Sequence, residues 1–175
     1  MTMDAIIESG MTFGPYLDGH CFHIEKSATY EEIRNGVRMA EFLLLRLKTG
    51  KPAEVWVVEA KSSAPRATSR ADFANYIDDV REKLVNGFGL GLASHLERHA
   101  LAADEMPAGI KGLDLGSAGF RLLLVIKTAQ DSWLPPLNDA LKKALHSTVK
   151  TWALGPNAVA VLTENRARRC GLILA

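Results

Sequence analysis

Two glutamates and a lysine are the residues of this chain best suited to chemistry. Glu41 lies inside Val37-Arg38-Met39-Ala40-Glu41-Phe42-Leu43-Leu44-Leu45, and Glu59-Ala60-Lys61 closes the run Val55-Trp56-Val57-Val58-Glu59-Ala60-Lys61-Ser62-Ser63. Both segments have the composition of buried strands. A carboxylate in such a strand is costly unless it is paired, hydrogen-bonded or bound to a metal. Alternation puts Val55, Val57, Glu59 and Lys61 on one face of the second strand, and Val37, Met39, Glu41, Leu43 and Leu45 on one face of the first. The link Lys48-Thr49-Gly50-Lys51-Pro52 has hairpin character, and a hairpin centred near Gly50 sets Glu41 directly opposite Glu59. Opposed side chains in an antiparallel pair have Cβ atoms about 4.5–5.5 Å apart. Two carboxylates that close repel each other unless a cation lies between them or one holds a proton. The juxtaposition depends on register, because a slip of one residue sends the two acids to opposite faces.

Facing carboxylates with a lysine two residues after the second suit hydrolysis of a phosphodiester with the help of Mg²⁺. That ion takes oxygen ligands, usually one or two carboxylates with water and substrate phosphate. It lowers the pKa of its water and offsets phosphate charge, while an ammonium nearby stabilises charge developing in the transition state. Over Val37 to Ser63 the chain resembles the PD-(D/E)XK nuclease superfamily, in which an acid on one strand and an acid-x-Lys on the next build the metal site. The resemblance implies Glu41 and Glu59 as ligands of Mg²⁺ or Mn²⁺, Lys61 as the group that positions the attacking water, and DNA or RNA as substrate. It also implies a homodimer or a targeting partner, since no separate recognition domain is evident. Ala40-Glu41 stands where the Pro-Asp that names the superfamily is expected.

Accessory candidates surround this core. Glu25, in His23-Ile24-Glu25-Lys26-Ser27, sits where an earlier strand end can deliver a third acid, or simply faces solvent. Ser62, Ser63 and Arg66 follow the lysine and suit either phosphate binding or an ordinary strand-to-helix connection. Gly87, Gly89 and Gly91 do not have the spacing of a dinucleotide fingerprint and point to close helix packing or a helix break. A competing reading of the acids is a closed ion pair of Glu59 with Lys61, with Glu41 satisfied by Arg38 or Arg66. The protein would then be a non-catalytic protein- or nucleic-acid-binding or assembly module on the same scaffold.

The elements that must position these residues are legible from pattern. Met11 to Tyr16 and His20 to Glu25 read as strands about Leu17-Asp18-Gly19, and Ser27 as the cap of a short helix ended by Asn35-Gly36. Thr68 or Ser69 caps a long helix with Phe73, Ile77, Val80, Leu84 and Phe88 on one stripe. Asp104 to Gly119 reads as a loop, Phe120 to Lys127 as a doubly covered strand, Pro135-Pro136 as a helix start, and Asn157 to Thr163 as a last strand before a basic tail. The expectation is a single α/β domain over residues 1–175, a mixed sheet with an antiparallel hairpin and flanking helices, restriction-endonuclease-like in plan.

With 21 basic and 20 acidic residues the net charge is +1, so any attraction to nucleic acid must come from local clusters. Two isolated cysteines, Cys21 and Cys170, fit a reducing compartment. No run of about 18 apolar residues is present, and residues 1–8 lack the basic start of a signal peptide. The expectation is a cytoplasmic protein away from the membrane.

Overall fold

The computed structural model describes residues 1–174. A five-stranded sheet organises them, in the spatial order β3 (Cys21–Phe22), β4 (Phe42–Arg46), β5 (Glu54–Lys61), β6 (Gly119–Ile126), β7 (Val159–Thr163). β3, β4 and β5 are antiparallel neighbours, whereas β5, β6 and β7 run parallel. The parallel pairs need crossovers, supplied by α2 (Arg70–His95) between β5 and β6 and by α5 (Leu134–Ala144) and α6 (His146–Thr151) between β6 and β7. A separate hairpin, β1 (Ile6–Glu8) and β2 (Met11–Phe13), turns through Ser9 and Gly10, at φ 51° and 73°. Positive φ at both central residues is what a tight I′ turn demands, and Gly supplies one of them without strain.

Two cores form, one on each face of the sheet. Val55, Val57, Leu122 and Leu124 meet Ile77, Val80, Leu84 and Phe88 of α2 and Leu137 and Leu141 of α5. On the other face Phe42, Leu44, Trp56, Val58, Leu123 and Val125 meet Phe13 of the hairpin, Ala167 of α7 (Glu164–Arg169), and Leu172 and Ile173. Covering on both faces explains the unbroken apolar run of β6, where Leu122 to Ile126 are all at most 1% exposed.

The mixed sheet, the hairpin between β4 and β5, and the long helix agree with the pattern of the sequence. Several elements differ. Met11–Phe13 pairs with Ile6–Glu8 and not with a strand at 20–25; Cys21–Phe22 pairs instead with β4, and residues 24–26 form a 3₁₀ turn. The strand expected over 37–45 begins only at Phe42, because Glu25 and Glu41 bond main chain to main chain where the ladder would continue. Residues 104–119 hold the second half of α3 (Ala102–Glu105) and all of α4 (Ala108–Lys111), and the basic tail is helical in α7. Ser27 caps α1 (Ala28–Ile33) by accepting from the Tyr30 amide, whereas Ser69 precedes α2 without a side-chain cap bond. No helix of the described residues is long and apolar enough to cross a membrane.

α2 lies close upon the hairpin that carries the acids. A Cβ at Gly87 would stand 2.8 Å from the Ala40 Cβ and 3.1 Å from Val57 Cγ1, and one at Gly91 would run into Leu43. Gly89, on the outer side, faces open space. The two inward glycines, one turn apart, let the helix backbone approach β4 and β5. That approach brings the polar residues of its N-terminal half over Glu59.

Candidate metal centre

Register decides the site. The paired register of β4 and β5 ends with Phe42 opposite Val58, and Glu41 lies one residue past it. There the ladder shifts: the Glu41 amide donates to the Val58 carbonyl (3.0 Å) and the Glu41 carbonyl accepts from the Glu25 amide (3.3 Å). The first bond keeps Glu41 at the end of the strand pair, and the second draws the 3₁₀ turn carrying Glu25 to its side.

Both glutamates are deeply buried, Glu41 at 5% exposure and Glu59 at 0%. Each has one carboxylate oxygen, Oε2, with no hydrogen-bond partner. An orphaned buried acceptor costs roughly 1–3 kcal/mol, more when charged. The two acids meet that cost differently. Glu59 Oε1 lies 2.9 Å from Lys83 Nζ and 3.4 Å from Lys61 Nζ. Burial pushes Glu59 up, against the pull of Lys83 and then Lys61. With two ammonium groups on one oxygen, Glu59 is the ionised member of the pair. Burial, the charge of Glu59 and contact with Glu25 raise Glu41 to about 9, so the proton of the pair sits on Glu41 at neutral pH.

Beyond Glu41 the acids continue. Glu8, His23, Glu25 and Glu41 each bring one ligand atom into a group whose members all lie within 4.8 Å of one another. Glu8 arrives on β1, and the Ser9 hydroxyl anchors that hairpin to the Ala60 carbonyl (3.0 Å), beside Glu59. His23 Nε2 is buried without a hydrogen bond and lies 3.9 Å from Glu8. Burial, then Lys26, holds its imidazole below the usual range, toward the neutral form that ligates metals. Burial and the neighbouring Glu25 raise Glu8. Oxygen donors, an imidazole and an orphaned carboxylate oxygen are together a donor set that could hold a metal ion.

The helix side of the site is a network of ion pairs. Lys61 Nζ lies 2.8 Å from Asp79 Oδ2, and Asp79 also takes Arg38 at 2.6 Å. Burial works to raise Asp79, but Lys61, Lys83 and Arg38 outweigh it and hold the carboxyl low. Burial likewise works to lower Lys83, and Glu59, Glu41 and Asp79 outweigh it. The Tyr76 hydroxyl is buried without a partner, and burial with Glu59 and Asp79 nearby raises its pKa.

Of the residues singled out from sequence, the fold brings Glu41 and Glu25 into the one group and ion-pairs Glu59 with Lys61, Glu59 lying outside that group. Glu25 arrives on a 3₁₀ turn, not a strand end. Ser62 and Ser63 are exposed, and the Ser62 carbonyl accepts from the Thr128 amide and hydroxyl. Arg66 stacks over the Trp133 ring at 3.8 Å. The Glu59–Lys61 pair of the competing reading is present, but its arginine partner for Glu41 is not: Arg38 is held by Asp79 and Glu82, and Arg66 by Trp133. Sequence reasoning missed Glu8, His23, Asp79 and Lys83. A signal existed for Glu8 in the Ser9-Gly10 turn dipeptide between short apolar runs. Asp79 and Lys83 stand four apart on one helix face, which marks a polar patch but not what it covers. Comparison with known protein families, with curated proteins and with solved structures gave no match in any of the three.

Proposed function

We propose that this chain is a metal-dependent nuclease of the PD-(D/E)XK kind, hydrolysing phosphodiester bonds of DNA or RNA. The observation that carries the reading is the pair of buried carboxylates, Glu41 and Glu59, each with an unpartnered oxygen, beside a lysine two residues on. A stability role alone does not explain Glu41, which is buried beside other acids with no cation within ion-pair distance among the described residues. Glu41 and Glu59 would hold a divalent cation, with Glu25, Glu8 and His23 completing the acidic side. When bound, such a cation supplies Lewis-acid polarisation of the phosphate and an acidified water. Lys61, fixed by Asp79, orients the attacking water and stabilises charge that grows on the phosphoryl oxygens. Lys83 keeps Glu59 ionised and aligned.

The second reading is a non-catalytic binding or assembly module, favoured by one observation: Glu59 Oε1 already has two ammonium partners. Titration calorimetry with Mn²⁺ and Mg²⁺ separates the two, run on the wild type, Glu59→Gln and Lys61→Met alongside DNA and RNA cleavage. The nuclease reading expects metal binding in the wild type, its loss in Glu59→Gln, and retained binding with cleavage reduced about 100-fold or more in Lys61→Met. No heat from millimolar metal, with the proteins folded by circular dichroism, leaves the binding module.

A further inference from the structure

Five residues beyond Lys61 the chain builds a second feature that the acidic site does not use. Arg66 lies flat over Trp133 at 3.8 Å, and together they border a slot of about 230 Å³ walled by Ala64, Phe73, Pro136 and Leu137. The slot lies beyond the carboxyl ends of the parallel strands β5 and β6, between the start of α2 and the start of α5, where open α/β sheets bind ligands. Its volume is below the roughly 300–1,000 Å³ of sites for drug-sized ligands, which leaves room for one flat ring system. Among the described residues Arg66 makes no ion pair and no side-chain hydrogen bond, so its donors are free for an anion.

We propose that this slot binds an unpaired nucleobase of the substrate strand, stacked against Trp133 and Arg66, with Arg66 on the adjoining phosphate. The proposal rests on the nuclease reading for the identity of the ligand. Aromatic rings and guanidinium planes are the surfaces on which single-stranded bases stack. An apolar slot open to one ring with a free cation at its rim matches the two halves of a nucleotide, a flat base and an anionic phosphate. The chain from Lys61 to Arg66 reaches at most about 18 Å, so the slot lies within a few nucleotides of the phosphate at Lys61. A base inside a duplex cannot enter. The substrate class is accordingly single-stranded nucleic acid, or the unpaired end, flap or loop of a duplex.

The test measures binding of fluorescein-labelled oligonucleotides by anisotropy in Ca²⁺, followed by cleavage in Mn²⁺. The probes are single-stranded DNA, the matching RNA, the blunt duplex, and a set of single-stranded DNAs carrying one abasic nucleotide at successive positions. The wild type should prefer single strands, and one abasic position should weaken binding by about 5- to 100-fold, the range of one lost base stack. Trp133→Ala should lose both that sensitivity and the preference, and Trp133→Phe should restore part of each. A flat abasic scan with an intact wild type overturns the slot. So does a Trp133→Ala protein that is folded and keeps the single-strand preference. If the wild type shows the abasic position but never cleaves, the slot stands and the nuclease reading falls; cleavage with a flat scan does the reverse.

Discussion

Replacing Glu41 by Gln should stabilise the metal-free protein while abolishing its response to metal. The carboxyl is raised to about 9 by burial, Glu59 and Glu25, against about 4.5 for the unfolded chain, taken here as the group's ordinary value. The native state therefore binds the proton more tightly. The stability this contributes is complete below about pH 4.5 and is lost as pH rises toward about 9. Each unit in that window is worth about 1.4 kcal/mol, so at pH 7 the wild type has given up on the order of 3 kcal/mol. Gln carries no titrating proton and, at similar size, keeps one oxygen beside Glu59 and presents an amide toward Glu25. Glu41→Gln should match the wild type near pH 4.5 and exceed it by on the order of 3 kcal/mol at pH 7. In a chain of this length that is roughly 6–12 °C in Tm. Urea denaturation followed by circular dichroism, in EDTA at pH 4.5, 6 and 7.5, measures the difference directly. Glu59, Glu25, Glu8 and Lys83 face the same carboxyl in both proteins, so the difference between the two curves reports Glu41 together with its coupling to Glu59. Adding Mn²⁺ to about 100 times its Kd should return about 2.7 kcal/mol to the wild type and nothing to the variant. Parallel pH curves, or a variant weaker than the wild type at pH 7.5, would refute the assignment of the proton to Glu41.

Two further substitutions probe the supports of the site. Gly87→Ala forces a methyl against Ala40 and Val57 and should cost about 1–3 kcal/mol, whereas Gly89→Ala, facing open space, should stabilise α2 by up to about 1 kcal/mol. Thermal melts of the pair check this, and equal effects would show that α2 does not depend on a close approach. His23→Ala should lower Mn²⁺ affinity about tenfold or more and leave Mg²⁺ affinity nearly unchanged, because imidazole favours the softer ion. Calorimetry with both metals reads the ratio, and an equal loss for each would remove His23 from the ligand set.

Much of the site's centre was written in local pattern. The run from Val55 to Lys61 alternates about a single strand axis, and the turn near Gly50 sets β4 against β5 in the expected register as far as Phe42 opposite Val58. What local pattern could not carry is convergence from distant segments. Glu8 reaches the cluster because a two-residue turn folds β1 onto β2 and Ser9 bonds to Ala60, across 51 positions of sequence. Lys83 and Asp79 reach it because two glycines let a helix approach a hairpin, and periodicity alone cannot say which strands a helix will cover. The short 3₁₀ turn at 24–26 competes with a strand through Glu25, and the tertiary bond from the Glu25 amide to the Glu41 carbonyl favours the turn.

The hairpin that carries Glu8 is locked from the far end of the fold. The Leu172 carbonyl accepts from the Gly14 amide (3.2 Å) and from the Tyr16 hydroxyl (2.6 Å), and Arg46 donates to the carbonyls of Cys170 and Gly171. During synthesis Glu41 and Glu59 leave the ribosome long before residues 170–173 exist. The nascent chain can pair β4 with β5, yet the clasp on the N-terminal segment closes only once those late residues have emerged. Assembly of the full acidic cluster is thereby coupled to residues 170–172, more than a hundred positions after the two strand carboxylates.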